Sequence, residues 1–253
     1  MNYWLLSIST LKKRVFLAFS VCIVLPGLKP DLGLSFSVML GKKRQYVVRM
    51  IDKRTELDTI HRLTYHTFRK RGICPENESG LLRNNLHLDE LDNTIVLAAM
   101  WGKEIMGTVS FTHTRSIQEL YNYDLFEEDL SDVDLEGKVA FSAWRLAIAD
   151  HPPHHRLMML HLQLALMELA FYHHAETGFF SFVSEHLSFY KRMFADGQVV
   201  GTREKKANSI NGEMTMMRFP VSTDQYLLQR SWKNRLEERI YKREQAAREL
   251  VHA

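Results

Sequence analysis

Two carboxylates, Asp89 and Asp92, stand three residues apart ahead of two apolar runs, "NTIVLAAMW" and "EIMGTVSFT", hinged at Gly102 and Lys103. At the mouth of a buried hairpin such a pair can hold a cation or take a proton from a bound group. The same residues can also be solvated or cap a turn. Arg145 lies within another apolar run, "SAWRLAI", between Trp144 and Leu146. A guanidinium buried there must be paired. Its partner is either an internal carboxylate, such as Asp89 or Asp92, or the carboxylate of a substrate. The histidines of "HPPHHR" (His151, His154, His155) and "YHH" (His173, His174) do not form a metal-ligand pattern, because a zinc site needs ligands converging on one point. No metal is expected.

These residues need elements to position them. "QYVVRMI" (45–51) is short and β-branched and reads as a strand. Residues 54–72 read as a helix, with Leu57, Ile60, Leu63 and Phe68 near helical spacing, a Thr55/Asp58 capping pattern and Gly72 at the end. Residues 73–93 carry Pro75, Asn77, Ser79 and Gly80 and read as irregular. The hairpin follows, with strands at 94–101 and 104–112. The acidic stretch 117–137 reads as a solvated helix or loop. A central strand is expected at 138–149, then a loop at 150–156 and a buried helix of about five turns. Further on come a strand at 178–184, an amphipathic helix at 185–197 and closing strands at 198–203 and 213–221. In the charged helix 224–250, a stripe of Leu228, Trp232, Leu236 and Ile240 should pack back on the domain. Strands and helices mixed in this order predict one α/β or α+β domain around a single sheet.

The 253 residues, 45% apolar and 25% charged, suit a globular chain with a sizeable core. A net charge of +3 and basic residues interrupted by acids give no support for nucleic-acid binding. Two cysteines, Cys22 and Cys74, provide no disulfide framework and fit a reducing, cytoplasmic setting. The basic-then-apolar run at 12–28 is short for a membrane span and is followed by no A-x-A cleavage site. It reads as a membrane anchor, a signal peptide or an upstream extension. The self-sufficient stretch from Met39 favours the extension, and the anchor reading would add peripheral membrane contact. Three parts are therefore expected: a hydrophobic extension (1–41), a catalytic-size domain (42–221) and a charged helix (222–253).

Four segments carry a family resemblance. These are the D-x-x-D pair at Asp89 and Asp92, "GTVSFT" (107–112), "SAWRLAI" (142–148) and "HLSFYKRMFADGQVVG" (186–201). Together they resemble the GNAT-like acyltransferase fold shared with acyl-homoserine-lactone synthases, and most closely the FeeM-type N-acyl amino acid synthases, over roughly residues 43–220. The resemblance implies a mixed central sheet flanked by helices. It also implies transfer of a long-chain acyl group from a carrier thioester to the amine of an amino acid.

By that resemblance, Asp89 and Asp92 receive the amine, and one of them, or Glu185 through a water, takes its proton. Tyr190 protonates the leaving thiolate. Arg145, with Ser142 and Trp144 on the same strand, lines the substrate site, and Arg156 at a helix start contacts phosphate. No bound cofactor is implied. Acyl carrier protein is the expected donor, steered by the basic clusters 190–192 and 203–206. Acyl-coenzyme A is the alternative donor, but "DHPPHHR" lacks the glycines of the usual pyrophosphate loop. The lactone synthases carry Glu where Ser142 stands and Arg where Ser110 stands, which counts against lactone synthesis. The remaining alternatives are an autoinducer synthase and an inactive fold that binds a lipid or a partner.

Overall fold

A computed structural model describes residues 36–40, 43–83, 85–149, 155–207 and 210–251. The apolar run at 12–28 lies outside them. Eight strands form one mixed sheet: β1 (Phe36–Leu40), β2 (Lys43–Met50), β3 (Thr94–Trp101), β4 (Glu104–Thr114), β5 (Val139–Ile148), β6 (Ala175–Val183), β7 (Gln198–Ala207) and β8 (Ile210–Pro220). They are ordered β1-β2-β3-β4-β5-β6-β8-β7. All neighbours run antiparallel except β5 and β6. The helices are α1 (Lys53–Lys70), α2 (Leu86–Glu90), α3 (Glu127–Leu130), α4 (His155–Tyr172), α5 (Leu187–Met193) and α6 (Thr223–Val251). β1 lies within the segment read from sequence as an N-terminal extension. The expected mixed sheet with flanking helices and a C-terminal helix is what the chain forms.

Helix α4 covers one face. Leu157, Met158, Leu162, Leu166 and Leu169 bury against Val109, Phe111, Phe141 and Ala143, each such side chain contributing about 1.5–3 kcal/mol. Gly107 is required here, since a Cβ would sit 2.9 Å from the Met158 sulfur and 3.3 Å from Leu162. The other face is covered by α1, α2 and the 117–137 segment. That segment is not simply solvated: Leu120, Phe126, Leu130 and Leu135 form a second core with Ala140, Phe179, Met214 and Met216. Most of its acids are exposed, Glu119 and Asp129 being part-buried, while its apolar residues turn in.

Two local readings shift. The cap of α1 is Asp52, whose carboxylate accepts from the Arg54 N–H at 3.0 Å. The expected Thr55/Asp58 pattern lies a turn too late, and Asp58 instead accepts from Arg83 at 2.8 Å. In α6, Trp232, Leu236 and Ile240 pack against the main core as expected, but Leu228 is 36% exposed. Gln225, Gln229 and Lys233 are buried beside that stripe, so at the start of the helix the covered face lies next to Leu228 and not on it.

Candidate active site

The site begins with a break in the sheet. β5 and β6 run side by side from Val139/Ala175 as far as Ala143/Phe180, and their pairing stops there. Beyond that point β5 stays bonded to β4 up to Ile148/Gly107, and β6 stays bonded to β8 up to Val183/Met214. Each strand holds its outer neighbour while parting from the other, so a wedge opens at their C-terminal ends.

A bulge begins where the strands part. Ser110 faces Trp144 and Thr108 faces Ala147, so Arg145 and Leu146 together oppose Val109 alone. Arg145 takes φ +58°, the left-handed region, which costs a non-glycine residue about 1–2 kcal/mol. The bulge resets the alternation of β5. Ala143 and Leu146 pack on the α4 side, while Trp144 and Arg145 both turn to the α1 side. There Trp144 stacks on Tyr121 at 5.4 Å and donates from Nε1 to Thr112 at 3.1 Å. The Arg145 guanidinium lies 4.3 Å above the Trp144 ring. The aromatic face thus supports the cation.

Arg145 meets Asp89, its Nη2 donating to Oδ2 at 2.5 Å, with both side chains almost wholly buried. Of the two partners open from sequence, the structure supplies the internal carboxylate. Asp89 gets there on α2, a helix inside the stretch read as irregular; Lys53 anchors this segment by donating to the carbonyls of Asp89 and Leu91, both at 2.8 Å. His61 of α1, 1% exposed, lies 3.0 Å from the same Asp89 oxygen through Nε2. Burial pushes the Asp89 carboxyl up. The His61 hydrogen bond and the Arg145 charge outweigh that and hold it below the ordinary carboxylate value.

Several buried polar atoms around this pair have no protein partner: Asp89 Oδ1, Arg145 Nε and Nη1, Asn85 Nδ2 and Ser110 Oγ. Such groups are expensive to leave unmade and mark a place for a ligand or water. Ser142, also buried, accepts from the Tyr121 N–H at 3.1 Å. It caps that backbone N–H from within β5.

The other candidates differ in burial. Asp92, Glu185 and Arg156 are exposed, so the two aspartates are not equivalent, only Asp89 being enclosed. Tyr190 belongs to the α4 face, its ring stacked on Phe182 at 4.2 Å and Phe180 at 5.9 Å. Burial pushes its phenol up to about 12, against a smaller lowering by Arg71. Burial lowers His155, and Arg71 and Arg156 lower it further, which marks a positive start to α4. Lys191 and Arg192 are exposed, whereas Arg203 is engaged by Asp129 at 3.0 Å and Glu128 at 3.3 Å. His61 was not singled out from sequence; a lone histidine on the buried stripe of a helix carries no distinguishing spacing. Among the described residues no group of three or more metal-ligating side chains is arranged to hold an ion, and no helix is long and apolar enough to cross a membrane.

Comparison with known proteins agrees with this geometry. The solved structure of FeeM, an N-acyl amino acid synthase from uncultured soil microbes, is similar at a TM-score of 0.60 and 18% identity, covering 74% of this chain and 97% of that one. The acyl-homoserine-lactone synthase LasI is similar at TM-score 0.53 and 15% identity, covering 70% and 90%. BjaI, a coenzyme A-dependent acyl-homoserine-lactone synthase, is similar at 0.54 and 11%, covering 75% and 90%. At these identities the likenesses establish the fold. No curated protein matches by sequence. The family profile described as N-acyl amino acid synthase FeeM matches residues 59–219, well over half of the 253 residues. The chain belongs to the FeeM N-acyl amino acid synthase family and is an acyltransferase.

Proposed function

We propose that the protein transfers a long-chain acyl group from the thioester of an acyl carrier protein to the amine of an amino acid. The observation that carries this reading is the parting of β5 from β6 after Ala143/Phe180. A thin, extended pantetheine arm can enter a gap between two strands whose backbone groups are no longer spent on each other. Thioester carbon and amine nitrogen must come within about 3–3.5 Å. The gap joins the face carrying Asp89 and Arg145 to the face carrying Tyr190, so acceptor and leaving group can be served from opposite sides.

In this reading the buried, unpartnered atoms suit a zwitterion. Asp89 Oδ1 accepts from the ammonium, and the spare Arg145 and Asn85 donors receive the carboxylate, with Trp144 and Ser142 shaping the floor. The ammonium loses a proton, through Asp89 or by way of water to exposed Asp92 or Glu185. The free amine attacks the carbonyl, the C–N bond forms, the nitrogen gives up its second proton to solvent, and the C–S bond breaks. The thiolate takes a proton from Tyr190, which is replaced from solvent, and one proton is released overall. Arg156 and the start of α4 meet the carrier's phosphate. The chemistry needs no bound cofactor or metal.

The test is incubation of purified protein with acyl carrier protein bearing a long acyl chain and a panel of amino acids, followed by mass spectrometry. Lipid extracts of an expressing bacterial host are analysed in parallel. New N-acyl amino acids are expected, and their absence with folded protein overturns the reading. The two buried serines at 110 and 142 predict no S-adenosylmethionine binding, which calorimetry checks.

A further inference from the structure

The carboxylate of Asp89 is satisfied on one side only. Both strong donors, His61 Nε2 at 3.0 Å and Arg145 Nη2 at 2.5 Å, converge on Oδ2. Oδ1 is equally buried and accepts nothing from the protein. An ionised oxygen sealed from water without a donor is costly, and either donor could have relieved it by sharing the two oxygens. Arg145 is fixed by the bulge and by the Trp144 ring beneath it. His61 is fixed by α1, with its Nδ1 unpartnered and 3.9 Å from Asp58.

We infer that His61 is a positioning residue, which by occupying Oδ2 together with Arg145 keeps Asp89 ionised and dedicates Oδ1 to the primary ammonium of the acceptor. This rests on the acceptor reading above and adds to it a residue from α1 that touches neither substrate. The tautomer follows from the partner: a carboxylate can only accept, so Nε2 carries the hydrogen. The titratable and charged groups around this cluster are Asp58 and Lys53 on α1, Asp92 after α2, Tyr121 beside Trp144, Arg145 on β5, and Arg83, which engages Asp58 at 2.8 Å. Of these, only Arg145 shares Oδ2 with His61. Without His61, burial of Asp89 is opposed by Arg145 alone, its carboxyl rises, and the oxygen that should meet an ammonium becomes protonated nearer to neutrality.

Two measurements test this. The first follows the Asp89 side-chain carbon by NMR through an acid titration, in wild type, His61→Gln and His61→Leu. His61→Met is a second variant without a donor should the leucine variant fail to fold. The titration needs no activity. The midpoint is expected to stay low in wild type and in His61→Gln, whose amide N–H replaces the donor. It should rise by a unit or more, a tenfold gain in proton affinity, in the variants without a donor. An unchanged midpoint in those variants overturns the inference. The second is the pH profile of kcat/KM for the amino acid, whose acid limb should move up with the Asp89 midpoint in His61→Leu and remain in place in His61→Gln. A fall in rate with the limb unmoved in both variants assigns His61 a merely structural role and also overturns the inference. If wild type acylates no amino acid, the acceptor reading falls, while the titration still decides whether His61 governs Asp89.

Discussion

Replacing Arg145 with methionine tests the buried pair at the centre of the site. The arginine side chain is 3% exposed and that of Asp89 is 1% exposed, so the change strands a carboxylate that water cannot reach. Breaking such a pair from one side costs about 3–5 kcal/mol. Here the lower half of that range is expected, because His61 still donates to Oδ2. Methionine keeps the left-handed backbone at φ +58°, so conformational strain cancels between the variants. With a slope of about 2–3 kcal/mol per molar urea, the midpoint should fall by about 1–2 M at pH 7. Adding Asp89→Leu removes the stranded charge and should recover most of the loss, giving a coupling of about 2–3 kcal/mol in a double-mutant cycle.

The pH dependence follows from the same pair. In wild type the Asp89 carboxyl lies below its unfolded value, so it contributes stability above that value, and the contribution is lost as pH falls through the folded pKa. In Arg145→Met burial prevails and the folded pKa rises. Protonation then relieves the variant, and its deficit against wild type should shrink as pH drops toward about 4. A deficit that is constant with pH, or a double variant as unstable as the sum of the two single ones, would refute the reasoning.

Three further outcomes are expected. Tyr190→Phe keeps the ring in its stack and should leave stability within about 0.5 kcal/mol, while lowering kcat about 100-fold if the phenol protonates the thiolate. With that phenol pushed up to about 12, the rate profile of wild type should show no Tyr190 limb below pH 10. Gly178→Ala would place a Cβ 2.2 Å from the Phe219 ring and 2.7 Å from the Phe141 ring; overpacking of about 3 kcal/mol should lower Tm by about 6–12 °C, read by calorimetry. Reversing charge with Arg156→Glu should raise KM for the acyl carrier protein, with the effect fading as salt increases, and leave turnover of a short acyl-pantetheine unchanged.

Much of this was legible from residue order. Alternation and breakers located the hairpin at 94–101 and 104–112, whose observed strands begin at the same residues. Helical spacing located α1, α4 and α6, and the D-x-x-D, "SAWRLAI" and "HLSFYKRM" segments pointed to the right family. An arginine in an apolar strand announced a buried pair, because the cost of desolving a lone charge holds whatever the fold.

What the sequence could not give is which oxygen meets which nitrogen. Asp89 and Asp92 look alike along the chain, yet only a short helix docked under α1 decides that Asp89 is sealed and Asp92 wet. The left-handed turn at Arg145 has no glycine to betray it; it exists because β5 must stay bonded to β4 while leaving β6. His61 became visible only once α1 lay across the sheet, 28 residues before its partner. Local propensity and periodicity are properties of neighbours along the chain and can be read there. The wedge, the one-sided carboxylate and its histidine depend on contacts between distant segments, and only the packed chain settles those.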